Sequence, residues 1–278
     1  MTVTIESLDD PRVAEYRNIP DPELLRVHGL FVAEGRHVVR HLLASTRFET
    51  RSVLLSPAAF EGLGDALGAR EALPVYVMAV ERLAALVGFN IHRGCLAIGV
   101  RPPAATVASW WKDAAASRLV VAAERVGNAD NLGALFRNAL AFGAGGVLLS
   151  PGCCDPLYRK SIRVSTGAAL RLPYAIDGLW PASLIALRKA GARILALTPR
   201  PPAGNLDDAL AGIDGSSTVV LLVGHEGDGL TEAAIGAAGE RVRIPMATGV
   251  DSLNVSAAAA IALHACRRRI GWPGGGAT

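Results

Sequence analysis

The sequence predicts an α/β protein in two parts, a small α/β unit followed by a larger domain built on a parallel sheet. Three observations carry this. The chain has 278 residues, which at roughly 150 residues per domain suggests two domains. From residue 118 onward, nearly continuous apolar segments alternate with helix-patterned ones, the pattern of a parallel sheet covered on both faces. Between the parts, RPPAATVAS (101–109) has the proline-rich, feature-poor character of a linker. The boundary is placed near 105, giving domains 1–105 and 106–278, with the tail GWPGGGAT expected to be disordered over 272–278.

Each element follows from its periodicity. GRHVVRHLLAS (35–45) puts Val38, Val39, Leu42 and Leu43 on one helical face. RSVLLS (51–56) and PVYVMA (74–79) read as buried strands, VERLAALVG (80–88) as a helix, and CLAIGV (95–100) as the strand that closes the first unit. In the second part, strands are expected at RLVVAAE (118–124), GVLLS (146–150), ARILALT (192–198), TVVLLVG (218–224) and RVRIP (241–245). Helices are expected at 131–142, 181–190, 231–238 and 254–268.

Composition bounds the rest. A folded chain of this size buries about 73% of the surface its unfolded form exposes, ample for a core, so disorder is excluded as the main state. Gly 30 and Pro 16 exceed the usual share without a collagen period, which assigns the excess to turns and close backbone approaches. The net charge of +3 is too small to name a partner. Only Lys112, Lys160 and Lys189 are lysines among 28 basic residues. The arginine fork suits phosphate, although an Ala/Gly/Arg-rich chain is more simply the mark of a GC-rich genome. Residues 1–105 carry net −1 and 106–278 net +4, which centres any attraction to nucleic acid on the second part.

Targeting signals are absent from the start, MTVTIESLDDPRV, and the longest apolar stretch (255–266) is shorter than the ~20 residues of a membrane span. Cys95, Cys153, Cys154 and Cys266 show neither CxxC spacing nor a disulfide framework, and no metal site is expected. A soluble, cytoplasmic protein is the expectation. Arg267, Arg268 and Arg269 are expected to complement the dipole of the last helix.

Several chemistries are excluded by missing motifs. No GxGxxG follows the first strand of the second part, where RVGNADNLG has glycines six apart, and GxxxxGK[ST] and GxSxG do not occur. HEGDG (225–229) begins like HExxH but lacks the second histidine.

Three segments remain, each at the C-terminal end of an expected strand, where open α/β sheets bind ligands. In NADNLGALFRNALAFGA (128–144), Asn131 is placed to cap a helix, Gly133 allows close approach, and Arg137 lies nearly two turns on. By itself Arg137 reads as a solvated arginine. VGHEGDGL (223–230) surrounds Glu226 with glycines that let backbone groups meet a ligand, and by itself reads as a strand-to-helix turn. In RIPMATGVDSLNVSAAAAIALHA (243–265), Ser252 and Asn254 precede an alanine-rich helix.

Together these segments resemble the SpoU/TrmH family of RNA ribose 2′-O-methyltransferases, within the SPOUT superfamily. The resemblance rests on NxGxxxR followed by AxxFGA, on GxExxGL, and on IPM followed by SLNVSxAxA, in that order. KSIRVSTGAALRLP (160–173) is similar to a further family segment, and GLFVAEGRHVVRHLL (29–43) with HRGCLAIGV (92–100) to its substrate-binding domain. The resemblance implies a C-terminal parallel-sheet α/β trefoil-knot domain preceded by a small α/β substrate-binding domain. It also implies S-adenosylmethionine as cofactor and a homodimer formed through the C-terminal domain. By carry-over, Gly224, Ile244 and Leu253 would contact the cofactor, with Leu197, Thr198 and Met246 as neighbours. Arg137, Asn131, Glu226, Ser252 and Asn254 match the catalytic and site-organising positions. RNA would be bound by Arg159, Lys160, Arg163 and Arg171, assisted by Arg36 and Arg40, which otherwise read as a solvated helix face.

The function implied is methyl transfer to a ribose 2′-hydroxyl, in rRNA first and tRNA next. A resistance methylase is a narrower form of it, and a non-catalytic RNA-binding or ribosome-assembly factor of the same fold is the alternative from another class.

Overall fold

The computed structural model describes residues 2–17, 20–68, 70, 72–88, 91 and 94–272. Gly271 and Trp272 are in view, whereas 273–278 of the expected tail and 92–93 of the HRGCLAIGV stretch lie outside the described residues. The chain divides into two compact units, Met1–Pro103 with Asp155–Arg171, and Ala104–Cys154 with Leu172–Thr278.

The first unit opens with β1 (Thr2–Thr4), α1 (Asp21–Val27), β2 (Leu30–Glu34), α2 (Arg36–Leu43) and β3 (Glu49–Leu55). It continues through α3 (Pro57–Glu61), α4 (Gly64–Gly68), β4 (Val75–Val77), α5 (Val80–Val87) and β5 (Cys95–Val100). The second unit then supplies α6 (Val107–Ala114), β6 (Leu119–Ala123), α7 (Ala129–Ala141) and β7 (Val147–Leu149). α8 (Arg159–Val164) and α9 (Ala168–Arg171) belong again to the first. The second resumes with β8 (Tyr174–Ile176), α10 (Ala182–Lys189), β9 (Ala192–Leu197), β10 (Gly204–Asn205) and α11 (Leu206–Ala211). It ends with β11 (Thr218–Val223), α12 (Glu232–Ala238), β12 (Gly239–Arg243) and α13 (Val255–Ile270).

In the first unit the strands run β1-β4-β3-β5-β2, with β1, β4 and β3 parallel and β5 antiparallel to its neighbours. Val38, Val39, Leu42 and Leu43 of α2 are buried, as their spacing predicts. Gly99 of β5 is required by a close approach, since a Cβ there would lie 2.2 Å from Phe31 Cζ. Tyr16 Oη and Ser52 Oγ satisfy each other at 2.7 Å, and burial pushes the Tyr16 phenol well above its ordinary range.

The segment 155–171 is where the sequence-based division and the structure differ. It packs with the first unit through Arg101 Nη2 to Asp155 Oδ2 (2.7 Å) and Arg159 N to Asp21 Oδ2 (2.9 Å). Arg163 Nη1 also faces the buried Glu34 Oε2 at 3.7 Å. The segment carries four basic residues and one acid, so the first unit becomes net +2 and the second net +1. The basic bias assigned to the C-terminal part thus sits largely on this excursion.

The second unit is a seven-stranded sheet, β10-β12-β9-β11-β6-β7-β8, parallel throughout. Both faces are covered, as fully apolar strands require. Val120, Ala122, Val220 and Leu222 pack towards Leu184 and Leu187 of α10 and Ala234 and Ile235 of α12. On the other side α13 packs against α7, α11 and β11. The stretch read as a linker is extended only to Thr106, whose Oγ1 accepts from Ser109 N (3.1 Å) and starts α6, and Trp110 enters the core at 3% exposure. Small residues and a single Thr at 104–109 hid that helix from a pattern of apolar spacing.

Arg267, read as a partner of the last helix's dipole, is 1% exposed. Its guanidinium donates to the carbonyls of Phe142, Gly143, Ser117 and Gly271 at 2.7–3.3 Å. Burial, then the nearby Arg118, lowers its pKa from the usual guanidinium value. No helix among the described residues is long and apolar enough to cross a membrane.

Candidate active site

The carboxyl ends of β9, β11 and β12 and the approach to α13 form an open cleft. That is the end at which parallel α/β sheets bind ligands. Leu197 and Thr198 enter from β9, Gly224 and Glu226 from the loop after β11, Ile244 and Met246 from the segment after β12, and Ser252 and Leu253 from the entry to α13. All six residues carried over as cofactor neighbours line this one cleft, and two of the five catalytic positions, Glu226 and Ser252, line it with them.

The loop after β11 is tight. A Cβ at Gly224 would lie 2.6 Å from the carbonyl carbon of Gly229 and the nitrogen of Leu230, so the backbone closes on itself where only glycine fits. Glu124, 2% exposed at the end of β6, holds the loop's exit. Its carboxylate accepts from Thr231 N, Thr231 Oγ1 and Trp180 Nε1, each at 2.8 Å. Periodicity offered no sign of this residue, because a glutamate ending an apolar strand reads as its solvated terminus.

Asn131, Glu226 and Asn254 come together although they are far apart in sequence. Asn131 Nδ2 donates to Glu226 Oε1, and Asn254 Nδ2 donates to Asn131 Oδ1, both at 2.8 Å. Asn254 Oδ1 meanwhile caps α13, accepting from Ser256 N (2.9 Å) and Ala257 N (3.3 Å). The α7 cap is Asn128, which accepts from Asp130 N at 2.7 Å, not Asn131 as expected. That frees the Asn131 amide to span the two loops. Asn138 Nδ2 adds a bond to Ser256 O (2.8 Å), tying α7 to α13.

Arg137 stands apart from these residues. It is exposed on α7, outside the cleft lining, and its side chain makes no hydrogen bond or ion pair among the described residues. The arginines and the lysine carried over as RNA contacts all fall in the first unit: Arg36 and Arg40 on α2, Arg159, Lys160 and Arg163 on α8, and Arg171 on α9. Arg36 and Arg171 are exposed, whereas Arg40 is engaged, bidentate to Asp65 at 2.6 and 2.7 Å. Cys95, Cys153 and Cys266 are not activated thiols, for burial raises Cys95 and Cys266 to about 12 and Cys153 in the same direction. No group of three or more metal-ligating side chains occurs among the described residues.

A parallel α/β sheet with this carboxyl-end cleft, preceded by a small sheet domain, defines a SPOUT-class methyltransferase fold. The SpoU rRNA Methylase family model matches residues 118–264, and the chain belongs to that family. An uncharacterised tRNA/rRNA methyltransferase of Mycobacterium tuberculosis is 40% identical over 260 residues, covering 92% of this chain and 88% of that protein. The structure of an AdoMet-bound rRNA methyltransferase from Sinorhizobium meliloti matches with TM-score 0.80 at 25% identity, over 96% of this chain and 98% of that one. An RNA 2′-O ribose methyltransferase matches with TM-score 0.70 at 26% identity, over 97% and 99%.

Proposed function

We propose that this protein transfers the methyl group of S-adenosylmethionine to a ribose 2′-hydroxyl of RNA, with ribosomal RNA as the first substrate class. The observation that carries the reading is the Glu226–Asn131–Asn254 chain of hydrogen bonds beside a cleft lined by the family's cofactor positions. The 2′-O ribose and rRNA specificities of the two structural relatives support it.

The cleft fits the cofactor. Leu197, Ile244, Met246 and Leu253 give apolar walls for a purine, and the lining holds the Glu226 carboxylate but no lysine or arginine, which suits a cationic ligand. When bound, S-adenosylmethionine supplies an electrophilic methyl on a sulfonium. The protein's share is to bring an RNA hydroxyl into line and stabilise the charge that develops as its proton leaves. A guanidinium does not readily give up a proton. Arg137 therefore holds the adjacent phosphate and stabilises the developing alkoxide, and its exposed, unpaired fork suits that role. Glu226 fixes Asn131 and through it the entry to α13. Ser252 lies in the cleft wall to orient the ligand. Arg36, Arg171 and their neighbours on the first unit hold RNA phosphates. The working form in this reading is a cytoplasmic homodimer formed through the C-terminal unit.

The same reaction on tRNA is the second reading, favoured by the tRNA/rRNA description of the mycobacterial relative. The test is incubation of the protein with methyl-labelled S-adenosylmethionine and either rRNA or tRNA, followed by mapping of 2′-O-methylation. Label at a single ribose of rRNA is the expected result; label at one tRNA position selects the second reading. Binding of RNA with no cofactor binding and no transfer would replace both by a non-catalytic role.

A further inference from the structure

His225 lies at a position the GxExxGL pattern leaves open, and the HEGDG sequence it begins is not a metal motif. Its ring nevertheless has a defined job in the loop. Gly229 N donates to the His225 carbonyl at 3.1 Å, which closes the loop. Inside the closed turn two successive amides, Gly227 N and Asp228 N, converge on His225 Nδ1 at 3.0 and 3.1 Å. An imidazole nitrogen that accepts two hydrogen bonds must carry its lone pair, which fixes the neutral ring with its proton on Nε2.

Two carboxylates face the same ring. Glu226 Oε2 lies 3.9 Å from Nε2 and Asp228 Oδ2 lies 4.0 Å from Nδ1, both beyond hydrogen-bonding distance. The cations nearby are otherwise engaged: Arg125 pairs with Asp228 at 2.7 Å, and Arg200 donates to the Leu230 carbonyl. Protonating Nδ1 would therefore remove the acceptor of two loop amides and create a cation that competes for Glu226, the residue that receives Asn131 Nδ2.

We propose that His225 is a positioning residue that holds the cofactor loop in its neutral Nε2–H form, and that its protonation loosens the loop and weakens cofactor binding. The proposal rests on the reading of the cleft as an S-adenosylmethionine site. His225 acts through the loop it holds, without any part in the chemical step.

The test combines NMR with calorimetry on the full chain. The ¹⁵N spectrum of the His225 ring is expected to show the Nε2–H tautomer at neutral pH, and the Gly227 and Asp228 amide resonances to shift on acidification. Two variants separate the geometry. In His225→Asn the side-chain oxygen falls where Nδ1 was and does not titrate; in His225→Gln it falls one carbon too far. The Gln variant is expected to bind S-adenosylmethionine about tenfold more weakly at neutral pH, as for the loss of one or two net hydrogen bonds. The Asn variant recovers most of that loss and, unlike the native protein, keeps its affinity on acidification. An Nδ1–H tautomer, or equal weakening by Asn and Gln, overturns the proposal. If the native protein binds no S-adenosylmethionine at all, the reading of the cleft fails, while the tautomer and the amide shifts still decide the role of His225.

Discussion

Asn131 donates from Nδ2 to Glu226 Oε1 at 2.8 Å across 95 residues of sequence, while its own oxygen accepts from Asn254. The amide is the one side chain here that can give to a carboxylate and take from another amide at once. Asn131→Asp sets a carboxylate against Glu226 and is expected to lower methyl transfer at least ~10-fold, equal to ~1.4 kcal/mol of transition-state stabilisation. Adding Glu226→Gln reverses the bond's polarity and restores part of the loss. A double-mutant cycle checks this, with a coupling of about 0.5–3 kcal/mol expected for groups in contact; strictly additive losses would show that the bond has no part in the activity.

Arg137 and the cleft are separable. Because Arg137 lies outside the lining, Arg137→Lys should reduce methyl transfer by about 100-fold or more, the scale of losing an oriented charge stabiliser. Cofactor affinity measured by calorimetry should change by less than the rate does. Near-native transfer with unchanged RNA binding would contradict both the phosphate-holding and the alkoxide-stabilising roles.

Glu124 is predicted to matter through stability. Glu124→Ala leaves Thr231 N, Thr231 Oγ1 and Trp180 Nε1, all part-buried, without their acceptor, and a donor orphaned away from water costs about 1–3 kcal/mol. Urea unfolding of the variant should show at least one such loss. An unchanged midpoint would mean that water replaces the carboxylate.

RNA contacts are predicted to divide by whether the arginine is engaged. Removing exposed Arg36 or Arg171 should each reduce the slope of log affinity against log salt by about 1. Arg40→Ala, which breaks the bidentate pair with Asp65, should change that slope less than either. Filter binding at several salt concentrations decides it, and equal slopes for all variants would remove the first unit from the phosphate contacts.

His41 sets an acid limit on the first unit. Its Nε2 lies 2.9 Å from His37 Nε2, and its pKa is lowered by burial first and then by the charges of His37 and Arg171. A depressed folded-state pKa means that the unfolded chain takes up its proton first. Stability is then complete above about pH 6.5 and declines as pH falls towards the depressed value. Thermal unfolding of His41→Gln should decline less over that window. A steeper decline would reverse the sign of the argument.

The sequence by itself determined the alternation of parallel strands and helices, because strands buried on both faces must be apolar throughout, as Val219–Leu222 are. It also determined the three loop segments, whose glycines, asparagines and glutamate are local signals. β1, β2, β8 and β10 escaped it. Three are two or three residues long, too short to show a period, and β2 lies in LFVAE, where Phe31 and Glu34 are both buried. Tertiary structure alone decided which asparagine caps α7, that Arg267 is buried under four carbonyls, and that residues 155–171 pack with the first unit. These outcomes depend on partners distant in the chain: a carboxylate 95 residues from Asn131, and Asp21 and Glu34 for the 155–171 excursion. Periodicity records which face of an element is apolar, but not which distant group will meet its polar atoms.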